Sequence, residues 1–269
     1  MARRSANTWV WVLIFCWVAF GCLAGCASTS KEASSLPSNV DNENVLRVGV
    51  STNAPPLIFK QGTKIVGLEA DFAREFAKYL GKSLHFVELR WKDQIPALLE
   101  NRIDIIMSGM TVTRLREVRI AFSIPYFTSG QMALIRREDE ALFKTGFFVL
   151  TKNSAIGAIK DTTGEYFIET QYGSVKKISF STSRDAVKAL IDKRIDMFVH
   201  DAPIILYLAS ENETKGIIPS FTLLTKEYLA WGIRKNDEGL LTSANEFLKT
   251  INDDGSLKQM IRYWIPFTD

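Results

Sequence analysis

Beyond residue 26 the 269-residue sequence has no cysteine; its three, Cys16, Cys22 and Cys26, crowd together near the N-terminus. A disulfide within residues 27–269 is excluded, as are a thiolate metal site and a cysteine nucleophile there, so the fold must rest on its core. Histidine is nearly as scarce, with only His85 and His200. Neither stands in a His/Asp/Glu group with metal-ligand spacing, so no metal and no other cofactor is expected. An excess of one charge is also missing: the formal net charge is +3, and Arg3 and Arg4 supply two of it. Without a Lys/Arg stripe or run, a nucleic-acid partner is not expected. After residue 26 no apolar run is long enough to cross a bilayer.

What is present begins with an export signal. Arg3 and Arg4 precede an apolar run from Thr8 to Gly21, followed by Leu23-Ala24-Gly25-Cys26. A short apolar core after arginines, closed by small residues, reads as a secretory signal rather than a spanning helix. The last four residues resemble the bacterial lipobox, which implies that Cys26 becomes a lipidated N-terminus; an ordinary cleaved signal or an uncleaved anchor is the alternative. Residues 27–44 are polar, serine-rich and without period, a flexible tether that would span roughly 20–25 Å as a coil.

The remaining chain, about 225 residues, is enough for two lobes with their own cores. It says nearly the same thing twice. Ala97-Leu98-Leu99-Glu100-Asn101-Arg102-Ile103-Asp104-Ile105-Ile106-Met107-Ser108-Gly109 returns 92 residues later as Ala189-Leu190-Ile191-Asp192-Lys193-Arg194-Ile195-Asp196-Met197-Phe198-Val199-His200-Asp201. Each copy reads as a helix end, a tight polar turn and a short buried strand. Strands are expected at Val45–Val50, Leu84–Leu89, Ile103–Met107, Ala155–Ile159, Lys177–Phe180 and Ile195–Val199. Helices are expected over Glu69–Leu80, Asp93–Glu100, from Thr162-Thr163-Gly164, from a Ser183 cap to Ile191, and over Leu240–Trp264 with a break at Asp253-Asp254-Gly255. This βαβαβ order, met twice, predicts an α/β protein of two lobes, each a mainly parallel sheet flanked by helices.

The repeat strands end at Ser108-Gly109 and His200-Asp201, the ends at which open α/β sheets bind ligands. Ser108, Gly109 and Thr111 offer hydroxyls and backbone N–H groups, and Arg116 follows close by. Thr162, Thr163 and Gly164 open a helix whose N–H groups point outward. Together these suit an anion, with Arg116 able to grip a carboxylate bidentately. Asp201 could hold an ammonium. An anion site facing one acid fits a zwitterion with the geometry of an α-amino acid. Simpler roles stay open: Arg116 competes with Arg114 and Arg119, the threonines can merely cap a helix, and Asp201 can cap the helix that Pro203 helps to start. His200 reads as a packing residue behind the ligand groups, and His85 as a strand residue.

From about Val45 to Phe267 the chain resembles the family 3 periplasmic solute-binding proteins of amino-acid ABC importers. The resemblance is carried by Gly67-Leu68-Glu69-Ala70-Asp71, Ile95-Pro96-Ala97-Leu98, Asp104 to Thr113 with Arg116, Phe122-Ser123-x-Pro125-Tyr126, Thr162-Thr163-Gly164-Glu165, Asp201-x-Pro203 and Asp254-Gly255. It implies two lobes joined by two hinge strands, with lobe one from residues 45–131 and 228–269 and lobe two from residues 132–227. Hinges are expected near Met132-Ala133-Leu134 and Glu227-Tyr228-Leu229. It also implies that Ser108, Gly109, Thr111 and Arg116 hold an α-carboxylate, helped by Thr163, and that Asp201 takes the α-amino group. Trp91 stands where glutamine-binding relatives place an aromatic wall. Three positions depart from the pattern. Ala54 replaces a usual aromatic, Ser51 a frequent acid of the ligand loop, and Asp161 a usual glycine.

The expectation is a monomeric, lipid-anchored extracytoplasmic protein, not an enzyme, that captures a polar or basic amino acid for an inner-membrane ABC permease by lobe closure. The fold admits two rivals. One is a cyclohexadienyl dehydratase-like enzyme using Glu69, Asp161 or Glu165 as its acid; the other is a stand-alone ligand-sensing lipoprotein.

Overall fold

The computed structural model describes residues 44–144, 150–151 and 153–266. The signal segment, Cys26 and the tether up to residue 43 lie outside them. Two five-stranded sheets organise the rest. The first runs in the order Ser83–Glu88, Val45–Val50, Ile105–Ile106, Gly232–Ile233, Ala121–Phe122. Its first three strands are parallel; Gly232–Ile233 returns antiparallel to both of its neighbours. The second runs Lys176–Phe180, Ala155–Ile159, Met197–Asp201, Gln131–Arg136, Ile217–Pro219. Again three parallel strands are followed by an antiparallel return, Gln131–Arg136. The doubled pattern of the sequence is therefore a doubled sheet.

Local chemistry accounts for the elements. Helix Leu68–Tyr79 buries Phe72, Ala73, Phe76 and Ala77 on one side, with Glu69 and Asp71 in its first turn and Lys78 in its last, as the helix dipole favours. Each of those phenylalanines contributes about 1.5–3 kcal/mol by leaving water. Gly81, at φ +65, ends the helix. The C-terminal helical stretch is broken as the sequence predicts, into Glu238–Asp253 and Ser256–Trp264, with Gly255 at φ +81 between them. One cap differs from expectation. Thr182, not Ser183, accepts the N–H of Asp185 at the start of helix Ser183–Ile191, so Ser183 is its first residue.

The two copies of the repeat share one construction. Asn101 and Lys193 both take left-handed backbone, φ 58 and 57, and close the turn between helix and strand. Asp104 accepts the N–H of Arg47 at 2.9 Å, and Asp196 that of Ala155 at 2.8 Å, tying each turn to the start of the neighbouring strand. An arginine from the antiparallel return strand then clamps each turn. Arg234 donates to the carbonyl of Ile103 at 2.5 Å and reaches Asp104 at 3.4 Å. Arg136 donates to the carbonyl of Ile195 at 2.7 Å and reaches Asp196 at 3.3 Å. Each clamp is held by an acid three residues on, Asp237 and Asp139.

Between the sheets runs a two-stranded antiparallel ribbon, Phe127–Ser129 with Glu227–Leu229. Its second strand is where the resemblance implies a hinge. Its first lies upstream of the expected Met132-Ala133-Leu134, which are instead paired inside the second sheet, Met132 with His200 and Leu134 with Phe198. Those three sit in a fully buried strand, whereas Phe127–Ser129 is only partly buried. Beside the ribbon an aromatic cluster of Phe72, Phe76, Tyr126 and Phe247 surrounds Trp231, which is completely buried.

Candidate functional site

A cavity of about 330 Å³ opens where the carboxyl ends of strands from both sheets face one another. Ser51, Trp91, Ser108, Gly109, Thr111, Arg116, Thr162, Thr163 and Asp201, the residues singled out in the sequence, all line it. The topology explains why. Ser51 follows strand Val45–Val50, Ser108 and Gly109 follow Ile105–Ile106, Thr162 and Thr163 follow Ala155–Ile159, and Asp201 ends Met197–Asp201.

From the side of the first sheet, the Ser108 hydroxyl accepts the N–H of Ser51 at 2.8 Å and lies 2.9 Å from the Gln94 side chain. Gly109 has φ +67, and a Cβ there would fall 2.7 Å from Leu57 Cδ1, so this strand end requires glycine. Arg116 donates to the carbonyl of Thr111 at 2.8 Å, and its guanidinium lies 5.2 Å from the centre of the Trp91 ring. Burial lowers its pKa, against the opposing pull of Asp201 and Glu227.

From the other side, the Thr162 hydroxyl caps helix Thr163–Gln171 by accepting the N–H of Glu165. Thr163, one residue further, is free of that duty. Asp201 stands at the N-cap position of helix Ala202–Glu211 but makes no side-chain cap there. Its carboxylate accepts instead from Gln131 Nε2 at 2.7 Å. His200 Nδ1 lies 2.8 Å from the backbone nitrogen of Asp201; His200 is a buried neighbour that also lines the cavity. Trp91 joins the two sides, its indole N–H donating to the carbonyl of Asp161 at 2.8 Å. Asp161 sits at φ +63, which accounts for the glycine that the resemblance places there.

Two polar residues behind the cavity wall escape sequence reasoning as members of the site. Glu227, on the ribbon, receives the hydroxyls of Thr111 at 2.9 Å, Thr163 at 3.2 Å and Thr225 at 2.9 Å. Gln131, next to the ribbon, donates to Thr163, Asp201 and Glu227 through Nε2, while its buried Oε1 has no partner. Neither lies in a motif or a periodic run. Only their place beside the two connecting strands could have pointed to them.

Residues 46–267 match the profile of the bacterial extracellular solute-binding proteins, family 3. The chain belongs to that family. It is 25% identical over 249 residues to the L-cystine-binding protein of Escherichia coli, covering 92% of each chain. It is also 25% identical over 256 residues to a cyclohexadienyl dehydratase of Pseudomonas aeruginosa, covering 93% of each. Among solved structures, an ancestral amino acid-binding protein described as a precursor of cyclohexadienyl dehydratase aligns with a TM-score of 0.77 at 31% identity, covering 82% of this chain and 95% of that one. A binding component of an ABC transporter from Wolinella succinogenes, complexed with lysine, aligns at 0.78 and 29% identity, covering 82% and 96%.

Of the acids weighed for proton transfer in this solute-binding protein, only Asp161 lines the cavity. Glu165 is tied to Ser179, Lys177 and the N–H of Asp161. Glu69 is sealed beneath the cavity wall, fully buried, receiving the Gly109 N–H, the Tyr126 hydroxyl at 2.6 Å and the Trp231 indole N–H at 3.1 Å. Burial outweighs these three donors and raises its pKa from 4.5 to about 7. The folded protein therefore holds the proton between those values while the unfolded chain releases it, so stability falls as pH rises through that window and levels off above it. Against Glu69→Gln, which cannot ionise, wild type should lose up to about 3 kcal/mol on going from pH 4.5 to pH 7.5. Urea unfolding of both proteins across that range measures it; parallel pH profiles would show that Glu69 does not titrate there.

Proposed function

We propose that this protein captures an amino acid from outside the cytoplasm and delivers it to an inner-membrane ABC permease. It does so as a monomer tethered to a membrane by lipid on Cys26. Residues 45–131 and 228–269 act as one lobe and residues 132–227 as the other, closing about the ribbon. Arg116 receives the α-carboxylate in a seat lined by Ser108, Gly109, Thr111 and Thr163, Asp201 takes the α-amino group, and Trp91 walls the side chain, with Ser51 and Thr162 completing the pocket.

The observation that supports this most is charge placement. Arg116 and Asp201 line one cavity from opposite sides, each held by neighbouring groups and not by the other in an ion pair. A zwitterion with its charges about one bond apart from a shared carbon satisfies both. The relative named for cystine and the lysine complex of the aligned structure support polar or basic amino acids. A few charge-assisted hydrogen bonds plus burial support a micromolar complex, about −8 kcal/mol.

The test is a calorimetric titration of the exported protein, unfolded and refolded to strip carried ligand, against the twenty amino acids, L-cystine and prephenate. A saturable response to one polar or basic amino acid supports the reading. Silence toward all amino acids, or release of phenylpyruvate from prephenate, overturns it, the latter in favour of a dehydratase.

A further inference from the structure

Thr111 and Thr163 line the cavity from its two sides, yet each has a single hydroxyl proton and each gives it to Glu227 Oε2, at 2.9 and 3.2 Å. Thr163 at the same time accepts from Gln131 Nε2 at 3.1 Å, which fixes the direction of its proton. A third hydroxyl, that of Thr225, donates to the other oxygen of Glu227 at 2.9 Å, and it in turn accepts the N–H of Gln131 at 2.8 Å. Glu227 is thus an anion cradled by hydroxyls from both sides of the cleft, and its charge acts on Arg116 together with that of Asp201. It is not among the residues that line the cavity; it lies behind the two threonines.

Hydroxyls engaged in this way show a ligand only their lone pairs, and lone pairs repel a carboxylate. A ligand carboxylate seated on Arg116 also meets a second carboxylate competing for the same guanidinium field. We propose that Glu227 is an internal competitor for the ligand's carboxylate: it holds the hydroxyl protons of Thr111 and Thr163 and thereby limits the affinity of the cleft for amino acids. The inference rests on the reading above that Arg116, Thr111 and Thr163 seat an α-carboxylate. It differs from that reading in assigning two of those hydroxyls to the protein's own anion until that anion is removed.

Glu227→Gln keeps the shape and removes the charge, and the amide can donate to the threonine oxygens, which turns their protons toward the cavity. Titrated with L-arginine and L-glutamine, the variant should bind whichever of them binds wild type about tenfold more tightly. With L-argininamide and L-glutaminamide, which lack the carboxylate, wild type and variant should agree within about threefold. An equal gain for acid and amide would mean that Glu227 acts on closure in general, and an unchanged or weakened affinity that it supports the ligand; either overturns the proposal. Arg116→Ala in the Glu227→Gln background separates the two claims. Binding that survives it refutes the carboxylate seat itself, and absence of binding by every form removes both claims. Should Glu227→Gln fail to fold, Glu227→Ala provides a second reading. It too removes the competing charge and releases both threonine hydroxyls, so amino-acid binding should tighten severalfold, and an unchanged or weakened affinity would sink the proposal.

Discussion

Replacing Arg116 with alanine should weaken amino-acid binding by at least about 100-fold while shifting folding stability by less than about 1 kcal/mol. The guanidinium lines the cavity, donates to the Thr111 carbonyl and covers the Trp91 ring. Removing it leaves the charges of Asp201 and Glu227 without the cation on which they act. A carboxylate then loses its bidentate partner and meets two uncompensated negative charges, which is why the loss exceeds that of one hydrogen bond. Folding should be spared because Arg116 belongs to a four-residue helix, Arg114–Glu117, none of whose residues is buried in the core. Calorimetric titration and thermal unfolding of the same preparation check both halves. Affinity within tenfold of wild type would dismiss Arg116 as the carboxylate partner.

The second large effect is expected in the aromatic cluster beneath the cavity wall. Trp231→Ala should cost about 3–5 kcal/mol in urea unfolding. Trp231 is completely buried, and four aromatic rings lie 5.5–6.1 Å from its own: Phe72, Phe76, Tyr126 and Phe247. Its loss opens a void that rings so mutually braced cannot close. It also strips Glu69 of its indole donor, leaving a buried carboxyl with two partners instead of three. The pKa of Glu69 should therefore move further up in the variant. A cost below about 1.5 kcal/mol would mean that the cluster repacks, against the rigidity inferred for it.

Much of this architecture is legible in the sequence, for identifiable reasons. Val45–Val50 and the two repeat strands are apolar runs flanked by turn chemistry, and a strand end next to Ser, Gly or Asp in an α/β protein is a place for ligands whatever the ligand is. The acids Asp104 and Asp196 are visible as a repeated position, though not as what they are, anchors for the next strand. Their arginine clamps recur as well, in Ile135-Arg136-Arg137-Glu138-Asp139 and Ile233-Arg234-Lys235-Asn236-Asp237, but so short a pattern does not announce the turns that they reach across antiparallel return strands. Glu69 misleads in the other direction. In a first helical turn an acid reads as a dipole partner or a proton donor, and nothing local announces the three donors that arrive from Gly109, Tyr126 and Trp231. Glu227 is silent because the three-residue strand that carries it is too short to show a period.

The arginine clamps also set an order on the growing chain. In the second sheet the clamp and its turn are 60 residues apart, Arg136 to Asp196, and the clamp comes first. In the first sheet they are 130 residues apart, Asp104 to Arg234, and the clamp comes last. A chain made from its N-terminus carries the first three strands of its first sheet without their clamp until Arg234 is added, whereas the turn of the second sheet meets an arginine already present. The half encoded first is thus the half whose clamp is supplied last. Until Arg234 arrives, the turn that joins helix to strand among residues 45–106 lacks the bonds that fix it in the finished fold.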